Sequence, residues 1–376
     1  MKVVFCINSI IGSGGMERVV INRANYLVKY CGYSVYIITT ENKCSDYKSK
    51  KMFFELDSKV KIIDLGIKYY DTMLSSKKNF ISKKIIMELK KYIHRKKLNQ
   101  KINEIKPEVI VSMGDMSRGI LPKIKCASKK ILENHFSKEN FIGKEKSIVN
   151  IYKNYREKKI FAKYDSIIVL TQKDKNEWGN SKIKVLQNSL SFTPKNQARL
   201  EEKKVISIGR LSHEKRFDIL LKVWSEVIKE YDDWILEIYG EGEMRKQLSK
   251  QIFDLKLEKN VFLKGSTKKI EEKLLSSSIY IMTSQIESFG LVLIEAASCG
   301  LPLVAFSGSD GPEEIIENGK NGFLCSKMNC EDMSNKIKYL IKNEDIRKEM
   351  GKKAREFALE KYSEKKIMTK WIELVN

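Results

Sequence analysis

No Cys-x-x-Cys pair occurs in this chain, and its seven cysteines, Cys6, Cys31, Cys44, Cys126, Cys299, Cys325 and Cys330, have no histidine partner at metal-ligand spacing. Scattered single thiols of this kind fit a reduced, cytosolic chain rather than a zinc module or a disulfide framework. A long apolar run is also missing. The longest apolar region, Leu291–Phe306, is interrupted by Glu295, Gly300 and Pro302, so nothing in it is suited to span a bilayer. The opening MKVVFCINSI has one lysine and a short apolar run that enters a glycine-rich loop directly, which predicts a buried first strand and not a signal peptide. That loop, GSGGMER (Gly12–Arg18), lacks the Lys-Ser/Thr ending of a P-loop and the full order of a dinucleotide fingerprint. Repeats and low-complexity segments are absent beyond a bias toward lysine.

What is present is enough chain for two cores and an uneven distribution of charge. A length of 376 residues exceeds what one hydrophobic core usually supports, and 42% hydrophobic residues suffice to bury two. The net charge is +23, and residues 1–200 hold 41 Lys and Arg against 18 Asp and Glu, whereas residues 201–376 hold 30 of each. An AT-rich genome would enrich lysine everywhere, so the polarity of the charge points instead to one half meeting an anionic surface or partner. In the first half, short β-rich runs at Val3–Ile7, Ser34–Thr39, Val60–Asp64, Val109–Ser112, Lys130–Leu132 and Ser166–Leu170 alternate with helical patterns, as a parallel sheet with crossover helices requires. Two of those helices are strongly basic. Ile81–Ile105 carries Ile85, Leu89 and Ile93 on one face with Lys83, Lys84, Lys90, Lys91, Arg95, Lys96 and Lys97 around it, and Ser147–Phe161 repeats the character. The sequence turns polar around Pro194–Lys203, and a second alternation of strands and helices begins at Val205.

Two constellations in the second half carry chemistry. In VISIGRLSHEKR a buried strand ends at Gly209, Arg210 follows at its carboxyl end, and Lys215 lies just before a helix that starts near Phe217. Ligands of open α/β sheets sit at that edge, and two cations beside a helix N-terminus suit a diphosphate, although basic residues in such loops are also often plain solvated surface. In SQIESFGLVLIEAASCGLP a strand runs into a loop, Gly290 permits close backbone approach, and the helix that follows stops at Gly300 and Pro302. Glu287 falls in the loop and Glu295 about one turn inside the helix, both near its positive end; the plainer reading is that Glu287 caps amides and Glu295 faces water.

Together these stretches resemble family 4 of the group 1 glycosyltransferases, retaining enzymes of the GT-B fold. The resemblance rests on Gly209, Arg210 and Lys215 in GR-x4-K, on Glu287 and Glu295 within ESFGLVLIEAASCGLPLVA, on GPEEIIENGKNGFL (Gly311–Leu324), on GSGGMER, and on Asn188 in VLQNSL. It covers nearly the whole chain and is most specific in the second half. It implies an α/β chain of two Rossmann-like, doubly wound domains facing across a cleft. Residues 1–195 would bind the acceptor and residues 196–376 the nucleotide sugar, with the last helix, about 362–376, a candidate to cross back. It implies that Arg210 and Lys215 bind the donor diphosphate, that Glu295 contacts ribose hydroxyls, and that Glu287 with the backbone of Ser288, Phe289 and Gly290 contacts sugar and phosphates. Gly14 and Gly15 would approach donor phosphate and acceptor, and His135 in LENHFS resembles the family's active-site histidine beside the donor sugar. Arg216 departs from the pattern, standing where the family commonly has glycine.

The chemistry agrees with the resemblance. Cleaving sugar from nucleotide leaves negative charge growing on the β-phosphate, and no Asp-x-Asp is present to hold a metal against it, which leaves that task to Arg210, Lys215 and a helix N-terminus, with no cofactor. The expected activity is transfer of a hexose or N-acetylhexosamine from a nucleoside diphosphate sugar, UDP being the commonest carrier, to a lipid-linked saccharide in bacterial capsule or lipopolysaccharide synthesis. The basic half would then lie on the anionic inner face of the cell membrane, without nucleic acid as a partner. A sugar-nucleotide epimerase of the same architecture is an alternative, although no motif locates its acid/base carboxylates. A nucleic-acid-binding protein is suggested by charge alone, with no zinc, RNA-binding or helix-turn-helix signature behind it.

Overall fold

A computed structural model describes residues 1–41, 52–69, 80–114, 116–138, 142–143 and 147–376, with side chains at 80 and 81 left aside. Cys44 lies outside the described residues, and the other six cysteines are free thiols. The chain forms two units, Met1–Leu186 with Met368–Asn376, and Gln187–Ile367. Residues 187–195, read from the sequence with the first half, therefore fold with the second, where the Leu190 amide donates to the Tyr362 carbonyl at 2.8 Å.

The first unit is built on a seven-stranded parallel sheet of order β3-β2-β1-β4-β5-β6-β7 among the described residues. Its strands are β1 (Lys2–Ile7), β2 (Ser34–Thr39), β3 (Lys61–Asp64), β4 (Val109–Ser112), β5 (Lys129–Asn134), β6 (Ser166–Val169) and β7 (Ile183–Val185). β4 and β6 are buried at every position, as strands covered by helices on both faces must be. Helix α1 (Gly15–Cys31) ends at Gly32, whose φ of +65° supplies the left-handed cap. Helix α2 spans Phe80–Ile105, and α3 (Ile148–Phe161) starts after Ser147, whose hydroxyl accepts from the Asn150 amide. The short α4 (Gln172–Trp178) is capped by Thr171 in the same way. Leu98, Ile102, Phe161 and Trp178 pack on Val4, Ile110, Leu132 and Ile167 of the sheet.

The second unit repeats the plan with a six-stranded parallel sheet of order β10-β9-β8-β11-β12-β13. The strands are β8 (Lys204–Ile208), β9 (Ile235–Tyr239), β10 (Val261–Gly265), β11 (Ile279–Met282), β12 (Leu303–Phe306) and β13 (Gly322–Cys325). Between and after them run α5 (Phe217–Val227), α6 (Arg245–Asp254), α7 (Ile270–Leu275), α8 (Leu291–Ser298), α9 (Asp310–Ile315), α10 (Cys330–Lys342), α11 (Glu344–Tyr362) and α12 (Glu364–Val375), whose last residues return to the first unit. Leu220, Trp224 and Val227 of α5 and Leu340 of α10 close on Val205, Ile238, Ile281 and Val304. The buried Arg347 donates to the carbonyls of Leu340 and Ile341, satisfying the end of α10, and to that of Leu200. The edge strands β7 and β13 and the helices α4, α9 and α11 go beyond the elements expected from periodicity. β7 has three residues, β13 opens on a glycine, and α11 is mostly charged, so none presents a repeat long enough to read.

Two apolar stripes depart from the usual pattern of packing. The second half of α2 buries His94, Leu98, Ile102 and Ile105, but Ile85 and Leu89 in its first half are 63% and 57% exposed. On α3, Ile148, Val149, Ile151, Tyr152 and Tyr155 are all exposed, Ile148 at 85%. No helix among the described residues is long and apolar enough to cross a membrane.

His94 makes the stability of the first unit depend on pH. Burial pushes its imidazole down from 6.5 to about 4, while Nδ1 shares a 2.9 Å hydrogen bond with the Tyr69 hydroxyl. Below pH 6.5 the unfolded chain takes up a proton that the folded chain refuses, so stability falls with pH until both are protonated near pH 4. The loss expected from this one group is on the order of 2–3 kcal/mol. Urea unfolding between pH 7 and pH 4 should show a shallower decline in His94→Gln than in the parent, whatever the variant's stability at pH 7; parallel curves would remove His94 as the cause.

Candidate functional site

In the second unit the chain adds β9 and β10 on one side of β8, then crosses to β11, β12 and β13 on the other. The order reverses between β8 and β11, and loops leaving the carboxyl ends of two such strands part to form the crevice where α/β folds bind ligands. Both sequence constellations lie in those two loops.

After β8 the chain passes through Gly209 and the exposed Arg210 to a single tight helical turn, His213–Lys215, before α5. A neighbouring turn, Gly240-Glu241-Gly242, holds this segment. The Gly209 amide donates to the Tyr239 carbonyl, the Leu211 amide to the Glu241 carbonyl and the Met244 amide to the Leu211 carbonyl, each at 2.9 Å. A β-carbon on Gly240 would lie 1.8 Å from the Gly209 carbonyl oxygen, and one on Gly242 2.3 Å from that of Leu211. These two glycines support the site although sequence reasoning passed over them; a Gly-x-Gly directly after a buried strand was the available signal.

Lys215 and Glu287 meet across the reversal. Lys215 Nζ donates to Glu287 Oε2 at 2.6 Å, and the two side chains are 23% and 15% exposed. The backbone ties the same loops together, since Thr283 Oγ1 donates to the Lys215 carbonyl at 3.0 Å and the Gln285 amide to the Glu214 carbonyl at 2.8 Å. Phe289 turns inward against Tyr362, ring centroids 5.6 Å apart, so Ser288, Phe289 and Gly290 pass the edge as backbone. Gly290, at φ +88°, opens α8. The GPEE motif buttresses this loop, because the Gly311 amide donates to the Glu287 carbonyl at 3.0 Å and a β-carbon on Gly311 would lie 2.1 Å from the Phe289 carbonyl oxygen.

Glu295 does not face water; it is fully buried in α8. The Tyr280 hydroxyl, raised above its ordinary value first by burial, is raised further by the carboxylates of Glu287 and Glu295, which brings both acids within electrostatic reach of one ring. Asn188 is buried in the same unit. Arg216 stands at φ +52°, in the left-handed region that a glycine would enter freely, and its guanidinium is held by Asp218 at 3.0 Å through two hydrogen bonds. Arginine thus occupies a backbone conformation that glycine favours. Among the described residues, no group of three or more His, Cys, Asp or Glu side chains could hold a metal ion.

The first unit has its own reversal, between β1 and β4, and GSGG lies in the loop that leaves β1. Gly14 precedes α1 in extended backbone, Gly15 is its exposed first residue, and the Glu17 side chain lies so close to Gly12 and Gly14 that a β-carbon on either would meet its carboxylate within 2.7 Å. His135 follows β5, is 8% exposed, and has Nε2 3.2 Å from Glu133 Oε2. Burial pushes the Glu133 carboxyl up, but Arg23 and His135 outweigh it and hold the group down at about 2, an ionised acceptor. Arg23 contacts Glu133 Oε2 directly, and Trp371 Nε1 donates to Oε1 at 2.6 Å. Sequence reasoning found the histidine and missed these three; an acid two residues earlier, near the end of β5, was the legible part. Of the sequence-predicted residues, Arg210, Lys215 and Glu287 to Glu295 gather at the second unit's reversal, while Gly14, Gly15 and His135 stand at the carboxyl edge of the first unit's sheet.

Residues 190–357 match the family described as glycosyl transferases group 1. A glycosyltransferase of Haemophilus influenzae is 34% identical over 377 residues, covering 98% of this chain and 98% of its own length. A poly(ribitol-phosphate) alpha-N-acetylglucosaminyltransferase of Staphylococcus aureus is 37% identical over 218 residues, covering 57% of this chain, which in turn matches 44% of that protein. Among solved structures, S. aureus TarM in complex with fondaparinux, alpha-GlcNAc-glycerol and UDP superposes with a TM-score of 0.79 at 22% identity, covering 100% of this chain and 99% of that one. The epimerase alternative fails against this kinship, because the relatives are transferases. Matched along almost its entire length by a glycosyltransferase, the chain belongs to the group 1 glycosyltransferases.

Proposed function

We propose that the chain is a retaining, metal-independent hexosyl- or N-acetylhexosaminyltransferase of family 4, using a UDP-sugar. The observation that carries this reading is the Lys215–Glu287 contact at the β8/β11 reversal, with the exposed Arg210 in the same loop as Lys215. One partner is a cation for the phosphate that leaves, and the other is a carboxylate for the hydroxyls of the sugar that moves. As the anomeric bond breaks, negative charge collects on the β-phosphate, and preorganised donors at that point lower the barrier. Arg210, Lys215 and the amides opening α8 supply such donors, since Lys215 keeps two ammonium hydrogens after Glu287 has taken one. Glu287 then orients the sugar, Glu295 takes the ribose hydroxyls, Gly14 and Gly15 approach the phosphates, and His135 lies beside the transferred sugar. The names of the relatives support UDP and an N-acetylglucosamine-type sugar, given that TarM binds UDP and the S. aureus relative transfers N-acetylglucosamine.

The acceptor in this reading is a lipid-linked saccharide of bacterial surface polysaccharide synthesis, met at the inner face of the cell membrane. The charge confined to residues 1–200 supports it, and so do the exposed apolar residues of α2 and α3. Apolar side chains among lysines on a helix surface suit the boundary of an anionic bilayer, each Lys or Arg near it contributing about 1 kcal/mol.

Three measurements check the proposal. UDP release from UDP-N-acetylglucosamine and UDP-glucose should fall roughly 10²–10³-fold in Arg210→Ala and in Lys215→Ala, by analogy with a lost oxyanion donor, while melting temperatures hold; near-normal turnover in both would sink the donor site. Activity should persist in EDTA, and complete loss restored by manganese or magnesium would contradict catalysis by fixed cations. For the membrane, the protein should float with anionic liposomes at low salt and dissociate near 1 M, where the Debye length has shrunk to about 3 Å. Lys90 and Lys97 donate to the carbonyls of Lys68 and Leu65, so cations that do not tie the helix to that segment are the better targets. Lys84→Glu, Arg95→Glu and Lys96→Glu together should weaken flotation, and a parent protein that stays unbound at low salt would end the docking reading.

A further inference from the structure

We infer that Glu133 is a positioning residue for His135, and that Arg23 and Trp371 set Glu133 for that task. The inference deepens the reading above and rests on its placement of His135 in the active site. Glu133 is 1% exposed, and three elements converge on its carboxylate: Arg23 from α1, His135 from the loop after β5, and Trp371 from α12. An ionised carboxylate only accepts hydrogen bonds, so the His135 nitrogen facing it, Nε2, carries a proton. In the neutral form of the ring that hydrogen bond fixes one tautomer, with Nδ1 as the acceptor, suited to a substrate hydroxyl. A carboxylate that holds an imidazole in one tautomer and orientation is the second half of many catalytic histidine pairs.

The packing around Glu133 is more than a buried ion pair needs. Arg23, 2% exposed, already balances the charge, and its guanidinium carbon lies 5.9 Å from the Trp371 ring centroid, which limits where it can move. Trp371 rests on Phe5 of β1, centroids 5.9 Å apart, and engages Oε1, so that Oε2 is the oxygen left to Arg23 and His135. With both oxygens engaged from fixed elements, the carboxylate cannot rotate away from the imidazole. Gly114, at φ +76°, lets the backbone after β4 approach; a β-carbon there would lie 3.1 Å from the Glu133 carbonyl oxygen.

The test uses the full chain and reads the imidazole directly. Nitrogen-15 shifts of His135, assigned by their disappearance in His135→Gln, report which ring nitrogen carries the proton, with His94 and His213 as internal references. Glu133→Gln keeps the shape and removes the charge; Trp371→Phe keeps the ring packing and removes one donor. Both should move the His135 nitrogen shifts away from the single Nε2-protonated form and lower kcat, roughly 10–100-fold for Glu133→Gln and less for Trp371→Phe, with the KM for the UDP-sugar within about twofold. A merely structural role would lower melting temperature and leave the nitrogen shifts alone. Unchanged shifts and kcat in both variants, beside an inactive His135→Ala, would overturn the inference and leave His135 in the active site. A fully active His135→Ala would overturn both.

Discussion

A parallel sheet that grows first on one side of its founding strand and then on the other must send the loops of two adjacent strands in opposite directions. The glycine-rich loop after β1 and the two motif loops after β8 and β11 owe their places to that constraint, met once at β1 and β4 and again at β8 and β11. The central strands are buried, and apart from Glu133 on β5 the charged groups described above stand beyond the strand ends. Their ends put charged side chains at a fixed edge, and the glycines of the neighbouring turns let backbone segments close to distances that a β-carbon would forbid.

Within the second unit the electrostatics are those of a neutralised pair. Lys215 and Glu287 are both only partly exposed, and each offsets the other near a sheet edge where an isolated ion would be costly. The pair also links two loops that are 72 residues apart in sequence, so the cation and the carboxylate share one alignment. The Gly311 contact with Phe289 extends the arrangement to a third loop, which explains why the GPEE stretch accompanies the ESFG stretch in the sequence.

The legible part of this protein was its repeated alternation of strand and helix and its two motif loops, because both are local: buried strands read as apolar runs, and Gly209, Arg210, Lys215, Glu287 and Glu295 stand at short spacings beside predicted strand ends. What escaped was non-local or small. Arg23 and Trp371 are separated from Glu133 by 110 and 238 residues, and no periodicity joins them. Gly240 and Gly242 act by lacking side chains, which a search for chemistry overlooks. Helix α2 was readable as basic and apolar, but Ile85 and Leu89 lie exposed in its first half while His94 and Leu98 in its second lie buried, so one helix serves two environments that an average over its length blurs together.

Arg216 shows how far a scaffold can free a residue from its own preferences. Its left-handed backbone is dictated by the turn it follows and the helix it precedes, and Asp218 takes up its guanidinium. A position whose shape is imposed from outside accepts a change of side chain without a change of path. Such a position gives the loop a dial: charge can be added or withdrawn next to Lys215 by exchanging one residue, because the turn and the helix on either side hold the path.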